Sequence, residues 1–230
     1  MNNIYMKKVV LVALALVVVT AVAAGWFLTT YYARNQQDGY SGDFRGAVFQ
    51  PPAKAPNFVL TDQDGREVRM SDLQGKAVVL TFLYTACPDV CPAIGGKFAS
   101  LQEQFHSELD KKVKFLAISV DPEYDTAERI KEFNTKFAVD LTYLSGDKET
   151  LEPIWQSFGV AVQQVVANGT ATTDVQHRDD EMPHPSALDY FVGHSNVVYL
   201  IDAEGMMKAV HLGNVWSPVD LLHDIRLLLT

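Results

Sequence analysis

The run Ala77–Leu83 restricts the fold of this chain more than any other segment. Its seven residues, AVVLTFL, are mostly apolar and follow Gly75 and Lys76 without alternating with polar residues. A run of this length bounded by turn residues is typical of a strand buried on both faces. We therefore expect residues 77–83 to lie within a sheet that is covered on both sides.

Strand-like and helix-like segments alternate along the remaining chain. Asp64-Gly65 predicts a tight turn in a hairpin near the start, and Thr126 is a candidate N-cap for a helix that reaches residue 137. The other predicted elements are a helix at 92–109, strands at 113–122 and 141–144, a helix at 147–158, strands at 197–202 and 207–212, and a helix at 217–229. This order predicts an α/β fold with an N-terminal hairpin and a mixed central sheet flanked by helices. Residues 163–188 are polar and irregular, which indicates a long insertion, either a hairpin or a lid.

Residues 9–28 contain no charged side chain. Twenty helical residues rise about 30 Å, the thickness of the hydrocarbon core of a bilayer, so the run predicts a transmembrane anchor. Lys7 and Lys8 precede it, and the positive-inside bias then keeps residues 1–8 in the cytoplasm. The alternative is a cleaved signal peptide, because the tripeptide AVA at 21–23 has the pattern of a cleavage site. Both interpretations place the rest of the chain across a membrane.

Residues 29–54 are rich in Gly, Gln, Asp and Pro and show no periodicity, so we expect a linker. Residues 55–230 are then the folded domain. The start of the chain lacks the Arg- and Ser-rich composition of a transit peptide, which favours a bacterial protein. The expected location is the inner (cytoplasmic) membrane, crossed once, with the domain on the periplasmic side.

The formal net charge is −9 and the sequence pI is about 5.1. A protein that binds duplex nucleic acid needs a basic face to neutralise phosphates. The charge balance therefore argues against nucleic acid as a partner.

The only two cysteines of the chain stand four residues apart, in 84-YTACPDVCP-92. Cys87 comes just after the predicted buried strand, and Cys91 falls in the first turn of the next helix. Unpaired backbone N–H groups and the helix dipole favour an anion there. We therefore expect both thiols to ionise more readily than a free cysteine, whose pKa is about 8.5.

Three kinds of site remain open for this pair. A redox dithiol usually has the spacing C-x-x-C, which is one residue shorter. A structural disulfide would close a loop of only a few residues and would remove little chain entropy. Two soft thiolates would also select Cu(I) or zinc. Structural zinc normally takes four protein ligands, whereas two sulfurs and one imidazole suffice for copper.

A third ligand would come from one of six histidines. His106, His211 and His223 lie on predicted helices or a strand, and we expect them to be surface or half-buried residues. His177 and His184 lie in the polar insertion, where solvated side chains are expected and mobile accessory ligands are the alternative.

His194 is different because it lies in 189-DYFVGHSNVVYLID-202, just before a strand expected to neighbour residues 77–83. In this topology the loop before that strand faces the helix start that carries the cysteines. This segment, the cysteine motif and 119-SVDPEYDT-126 together resemble the Sco/SenC family. The resemblance covers about residues 55–230.

The resemblance implies a thioredoxin-like fold and a membrane-tethered protein that binds copper, as Cu(I), Cu(II) or both. The family's metal ligands map onto Cys87, Cys91 and His194. The implied role is a metallochaperone for the dinuclear copper centre of a cytochrome c oxidase subunit, with reduction of the target's cysteines as a further or alternative role. The implied partners are that subunit, other periplasmic copper chaperones and thiol reductants.

The sequence departs from the family at one position. Many members have Asp immediately before the histidine, where this chain has Gly193. An adjacent carboxylate can orient an imidazole and tune its basicity, so its absence leaves the copper affinity and the preference between Cu(I) and Cu(II) open, though not the ligand set.

The rival interpretation is an enzyme, either a thiol–disulfide oxidoreductase or a thiol peroxidase that uses Cys87 and Cys91. A peroxidase needs an arginine near its activated cysteine, and residues 81–96 contain none. A metallochaperone is therefore preferred over a catalyst, and the oxidoreductase is the alternative.

Overall fold

In the computed structural model, the structure describes residue 16 and residues 19–28, 43–88, 90–166 and 190–229. The chain divides into two compact units, residues 1–40 and residues 41–230. Residues 19–28 of the predicted anchor are helical. The other anchor residues, apart from residue 16, lie outside the described part, as do residues 1–8. Within the described residues, no helix combines the length and the apolar character that a membrane crossing requires.

Strand β4 (Ala77–Leu83) has the bounds that the sequence predicts, and all seven of its residues are buried. It pairs in parallel with β5 (Val113–Ser119) and antiparallel with β9 (Val197–Ile201). The five residues of β9 are buried as well. Both faces of the central sheet are therefore covered, as expected from the apolar run.

The main sheet of the described residues has eight strands, in the order β1-β10-β9-β4-β5-β6-β2-β3. The outer strands are β1 (Ala47–Lys54), β2 (Val59–Asp62), β3 (Glu67–Arg69), β6 (Thr142–Ser145) and β10 (Met206–Leu212). β6 runs parallel to β5, and the others join antiparallel. The hairpin of β2 and β3 turns at Gly65, whose φ of 77° is the left-handed conformation that glycine adopts without strain.

The predicted linker at 29–54 is wrong over its last eight residues. These residues form β1, which pairs antiparallel with the free edge of β10 and is the edge strand of the sheet. Pro51 and Pro52 gave the segment the composition of a linker, yet proline is tolerated on an edge strand. The folded domain therefore begins before residue 55.

Besides the helical residues 19–28, the described residues contain four α-helices: α1 (Val90–Gln102), α2 (Ala127–Phe137), α3 (Lys148–Ser157) and α4 (Pro218–Leu227). Thr126 caps α2 as predicted, because its side chain accepts a hydrogen bond from the Arg129 N–H. Helix α1 packs against α2 and α4. It ends earlier than the predicted residue 109, and successive turns follow it to Asp110, whose φ is 61°. Phe105 stays buried in these turns, so the apolar spacing did not require a continuous helix.

The described start of the predicted insertion, residues 163–166, lies in β7 (Val162–Val166), which pairs antiparallel with β8 (Tyr190–His194) in a separate two-stranded sheet. The insertion is thus flanked by two paired strands, and its residues 167–188 lie outside the described part. His177 and His184 lie outside the described residues.

Asp224 of α4 joins the beginning and the end of the domain. Its carboxylate, fully buried, accepts hydrogen bonds from the backbone N–H groups of Arg45 and Gly46 and from the rings of His211 and His223, all at 2.9–3.0 Å. His211 is 5% exposed, so the expectation of a surface or half-buried side chain is wrong. A polar ring can be buried here because its N–H donates a hydrogen bond to the carboxylate.

Candidate metal centre

The two cysteines lie together where β4 meets α1. Tyr84 follows β4 directly, and its carbonyl accepts a hydrogen bond from the Cys87 N–H at 3.4 Å. Cys91 lies in the first turn of α1, and its backbone N–H donates to the Cys87 sulfur, also at 3.4 Å. Both side chains are buried, and neither is in a disulfide. The helix start thus points a backbone donor at the Cys87 sulfur, which would favour a thiolate there.

Cys91 does not show the acidic thiol that its helix position predicts. A hydrogen bond with Cys87 raises the pKa of Cys91, and complete burial raises it further. The negative charge of Asp125 acts in the same direction. The hydrogen bond with Cys87, desolvation and the neighbouring acidic groups therefore outweigh the helix dipole, and the Cys91 thiol resists ionisation.

Asp125 holds the loop that precedes Cys87. Its carboxylate accepts from both the backbone N–H and the hydroxyl of Thr85, at 2.8 and 2.6 Å. It also accepts from the hydroxyls of Ser119, at 2.6 Å, and Tyr143, at 3.0 Å. Four donors from three parts of the chain therefore fix the cysteine loop to the core. In the sequence this aspartate is only one residue of the family-like segment 119–126, and its four hydrogen bonds depend on tertiary structure.

His194 ends β8 and is half-buried. Its ring packs edge-to-face on Tyr84, with 5.9 Å between ring centroids and an interplanar angle of 82°. Burial lowers the pKa of His194, which favours the neutral ring. Nδ1 lies 3.2 Å from the Ser195 carbonyl oxygen and can donate to it. Nε2 is then the ring nitrogen that offers a lone pair to a metal.

Tyr84 lies between the sulfurs and the imidazole. Tyr84 is 1% exposed. Its pKa is raised mainly by burial and, to a smaller extent, by the charge of Cys87. Its hydroxyl lies beside the Cys87 thiol and the Val192 backbone, yet it makes no hydrogen bond of ordinary geometry. A buried polar atom without a partner is uncommon and calls for an explanation. Its position next to two candidate ligands supplies one, because a thiolate would be an acceptor for it.

We expect Tyr84→Phe to leave the free energy of unfolding unchanged or to raise it by up to about 1 kcal/mol, since the hydroxyl makes no bond that would be lost. Tyr143→Phe is the matched control. It removes a buried hydroxyl that does donate to Asp125, and it should lower stability by about 1–2 kcal/mol. Urea unfolding of both variants in the reduced, metal-free state measures the difference. An equal loss in both would show that the Tyr84 hydroxyl has a partner.

The structure thus brings Cys87 and Cys91 together and places His194 against the tyrosine that adjoins them. In the described part of the chain, no three side chains of His, Cys, Asp or Glu are yet grouped closely enough to hold a metal ion. The donor chemistry of two thiols and one neutral imidazole suits a soft ion such as Cu(I). The remaining described histidines are elsewhere: His106 is exposed, and His211 and His223 bind Asp224.

Gly193 is not required by the backbone. A Cβ built there would meet only a ring carbon of Phe191 at 3.5 Å and the Gln163 carbonyl oxygen at 3.6 Å, which are ordinary contacts. The absence of a carboxylate beside His194 is therefore a chemical difference from related sequences and not a steric necessity.

Sequence reasoning missed Arg129. It lies outside 81–96, but α2 carries it to a cavity that Cys87 also lines. Only the packing of α2 against α1 brings the two together.

The SCO1/SenC family model matches residues 47–230. An SCO2-like protein of Rickettsia felis is 30% identical over 173 residues, which are 74% of each chain. The copper-bound structure of ScoI from Bradyrhizobium japonicum is 29% identical, with a TM-score of 0.60, and the match covers 76% of this chain and 98% of that one. Copper-bound ScoI from Arabidopsis thaliana is 27% identical, also with a TM-score of 0.60, over 77% and 98% of the two chains. These neighbours support the predicted thioredoxin-like Sco fold, and because the family model covers most of its length, this chain belongs to the SCO1/SenC family.

Proposed function

We propose that this protein binds one copper ion through Cys87, Cys91 and His194 and delivers it during assembly of the dinuclear copper centre of cytochrome c oxidase. The observation that carries the proposal is the arrangement around Tyr84, with two reduced cysteines on one side and a neutral imidazole on the other. Membership of the SCO1/SenC family and the copper-bound ScoI structures support it.

Copper is the cargo in this proposal, and His194 closes the site when copper arrives. Its strand belongs to the two-stranded sheet of β7 and β8 and not to the eight-stranded sheet, so the ring can approach without breaking the pairing of the core strands. A site with two sulfurs and one nitrogen leaves an open face. Ligands of the receiving protein can enter through that face before the donor's ligands leave.

We further propose that residues 9–28 anchor the protein in the inner membrane, with the copper-binding domain in the periplasm. The absence of charged residues from this segment supports an anchor of one helix. Anchoring would confine the search for a membrane-bound partner to two dimensions and raise the effective concentration.

Replacing His194 by Ala tests the ligand set. We expect the reduced full-length protein in detergent to bind one Cu(I) per chain, and His194→Ala to weaken binding by more than about 100-fold, because loss of a direct ligand should exceed the 10–100-fold loss seen for outer-shell partners. Anaerobic competition with a chromogenic Cu(I) chelator measures the affinity. His106→Ala, at an exposed histidine, is the control. Equal affinities in the two variants would refute the assignment of His194.

The alternative function, thiol–disulfide exchange, is favoured by one observation. Cys87 lines a cavity whereas Cys91 is wholly buried behind it, which is an arrangement of an attacking thiol and a resolving thiol. This activity would proceed without copper and would be indifferent to His194. Turnover of a small disulfide by wild-type protein and by His194→Ala separates the two functions.

A further inference from the structure

A groove runs between the cysteine loop and helix α2. It encloses a cavity of about 230 Å³. One wall is formed by residues 85–87 and Pro92. The other wall is a single face of α2, formed by Arg129, Glu132, Phe133, Lys136 and Phe137. Because these five positions are three or four residues apart, α2 presents all of them to the cysteine loop at once.

Both walls of this groove are fixed by the fold. Asp125 holds Thr85 through two hydrogen bonds of 2.8 and 2.6 Å. On the opposite side, a Cβ at Gly95 would lie 3.3 Å from atoms of Phe133 and Phe137. Glycine therefore lets the aromatic rings of α2 approach α1 closely, and the groove is formed before any ligand arrives.

Cys87 is the thiol that faces this groove. Cys91 is absent from its lining and is 0% exposed, whereas Cys87 is 8% exposed. Any sulfur that enters through the groove therefore reaches Cys87 first.

The α2 wall selects for charge. The charged side chains that line this wall are two cations, Arg129 and Lys136, and one carboxylate, Glu132, whereas the whole protein has a net charge of −9. Arg129 donates from Nη1 to the Tyr124 carbonyl at 3.0 Å, which holds its guanidinium in place. Between the cations, Phe133 and Phe137 offer an apolar surface. A ligand that fits this wall carries a carboxylate next to an apolar group.

The cavity has room for a few side chains of a docked peptide segment. Sites for whole small-molecule ligands run from roughly 300 to 1,000 Å³, so this cavity holds a few side chains of a longer chain. We propose that the groove docks a cysteine-bearing, acidic segment of a partner protein and delivers its sulfur to Cys87. The inference rests on the proposed function, because it takes Cys87 as the group through which the protein exchanges with its partner.

When the partner's cysteine is part of a disulfide, the step is an exchange. The Cys87 thiolate attacks the partner sulfur, the new sulfur–sulfur bond forms, and the old one breaks with its electron pair on the departing thiolate. Cys91 then loses its proton to the departing thiolate or to water and attacks the Cys87 sulfur, which breaks the mixed disulfide, releases the partner cysteine as a thiolate and leaves Cys87 and Cys91 as a disulfide. The pair is oxidised by two electrons and the partner is reduced by two.

Two synthetic peptides test the charge selection. Each carries one cysteine activated as a 2-pyridyl disulfide and one leucine, and they differ only in two Glu or two Lys residues beside the cysteine. We expect the reduced full-length protein to release thiopyridone about five- to tenfold faster from the acidic peptide than from the basic one, since two rim contacts with cations favour it. The preference should shrink at high salt because such contacts are screened.

Lys136→Gln should remove much of this preference, and Arg129→Gln together with Lys136→Gln should abolish it. Lys131→Gln is the matched control, because Lys131 is on the same helix but pairs with Asp64 at 3.1 Å and is outside the groove. Lys136 is exposed, so its variant keeps the fold. Equal rates for both peptides, or a preference that survives the double variant, would overturn the proposal. These rates are measured without copper, whereas Cu(I) titration of wild-type protein decides the proposed copper function separately.

Discussion

Replacing Asp224 by Ala is expected to lower the free energy of unfolding by about 3–5 kcal/mol, the range for breaking a buried charged pair. The carboxylate is fully buried and accepts from two backbone N–H groups and two histidine rings. Alanine would leave all four donors in the interior without an acceptor. The donors come from the segment before β1, from β10 and from α4, so the loss would loosen both ends of the domain together.

Urea unfolding followed by circular dichroism measures this loss. Asp220→Ala is the control, since Asp220 lies on the same helix and pairs with Arg45 at 2.5 Å, but with both side chains more than a third exposed. An ion pair between side chains this exposed adds little to stability, so the control should change little. A loss below 1 kcal/mol in Asp224→Ala would mean that the buried donors find other acceptors.

The same carboxylate gives the domain an acid limit. Burial raises the pKa of Asp224, but hydrogen bonds from His211, His223 and the backbone of Arg45 and Gly46 outweigh it and bring the pKa to about 2. Because the folded value lies below the unfolded value of about 3.8, the stabilisation is complete above pH 4 and is lost as pH falls towards 2. In Asp224→Ala this part of the acid dependence should be missing.

Replacing Asp125 by Asn is expected to weaken Cu(I) binding by about 10–100-fold without removing a proposed ligand, as is usual for outer-shell partners. One carboxylate oxygen of Asp125 accepts from Thr85, and the other accepts from the Ser119 and Tyr143 hydroxyls. In asparagine an NH₂ group replaces one of these oxygens and cannot accept, so one of the two sets of hydrogen bonds is lost and the cysteine loop loses part of its support. We also expect a stability loss of about 1–3 kcal/mol. Burial raises the pKa of Asp125 despite its hydrogen bonds, so relief of a buried charge offsets part of this loss.

Asp202→Asn separates the effect on the site from the effect on stability. Asp202 is also buried and accepts two backbone N–H groups of the turn after β9. Ile201 pairs with Val78, so this turn lies at the end of β4 away from the cysteines. The control should lose stability and keep its Cu(I) affinity. If Asp125→Asn also keeps its Cu(I) affinity, the carboxylate supports the fold only.

Local sequence patterns predicted the parts of the fold that local energetics determine. The apolar run at Ala77–Leu83 became β4 with the same bounds, and the cap at Thr126 began α2 as predicted. β1 was missed because its residues resemble a linker and become a strand only by pairing with β10, which lies more than 150 residues away in sequence. An edge strand of this kind has no local signal that distinguishes it from an extended tether.

In the candidate site, too, some features were predicted from the sequence and others depend on tertiary packing. The sequence motif located the cysteines and His194, but the low thiol pKa expected from the helix position failed for Cys91, because the prediction left out burial and the neighbouring thiol. The burial of His211 depends on Asp224, and the approach of Arg129 to Cys87 depends on how α2 packs. Partners of this kind are set by tertiary structure and cannot be read from spacing along the chain.

The placement of His194 on a sheet of only two strands has a consequence for evolution. If His194 closes over copper as proposed, substitutions in β7 and β8 would change how fast the imidazole reaches the sulfurs and leave the pairing of the eight-stranded sheet intact. Selection could then tune the speed of metal capture and release with little penalty in folding.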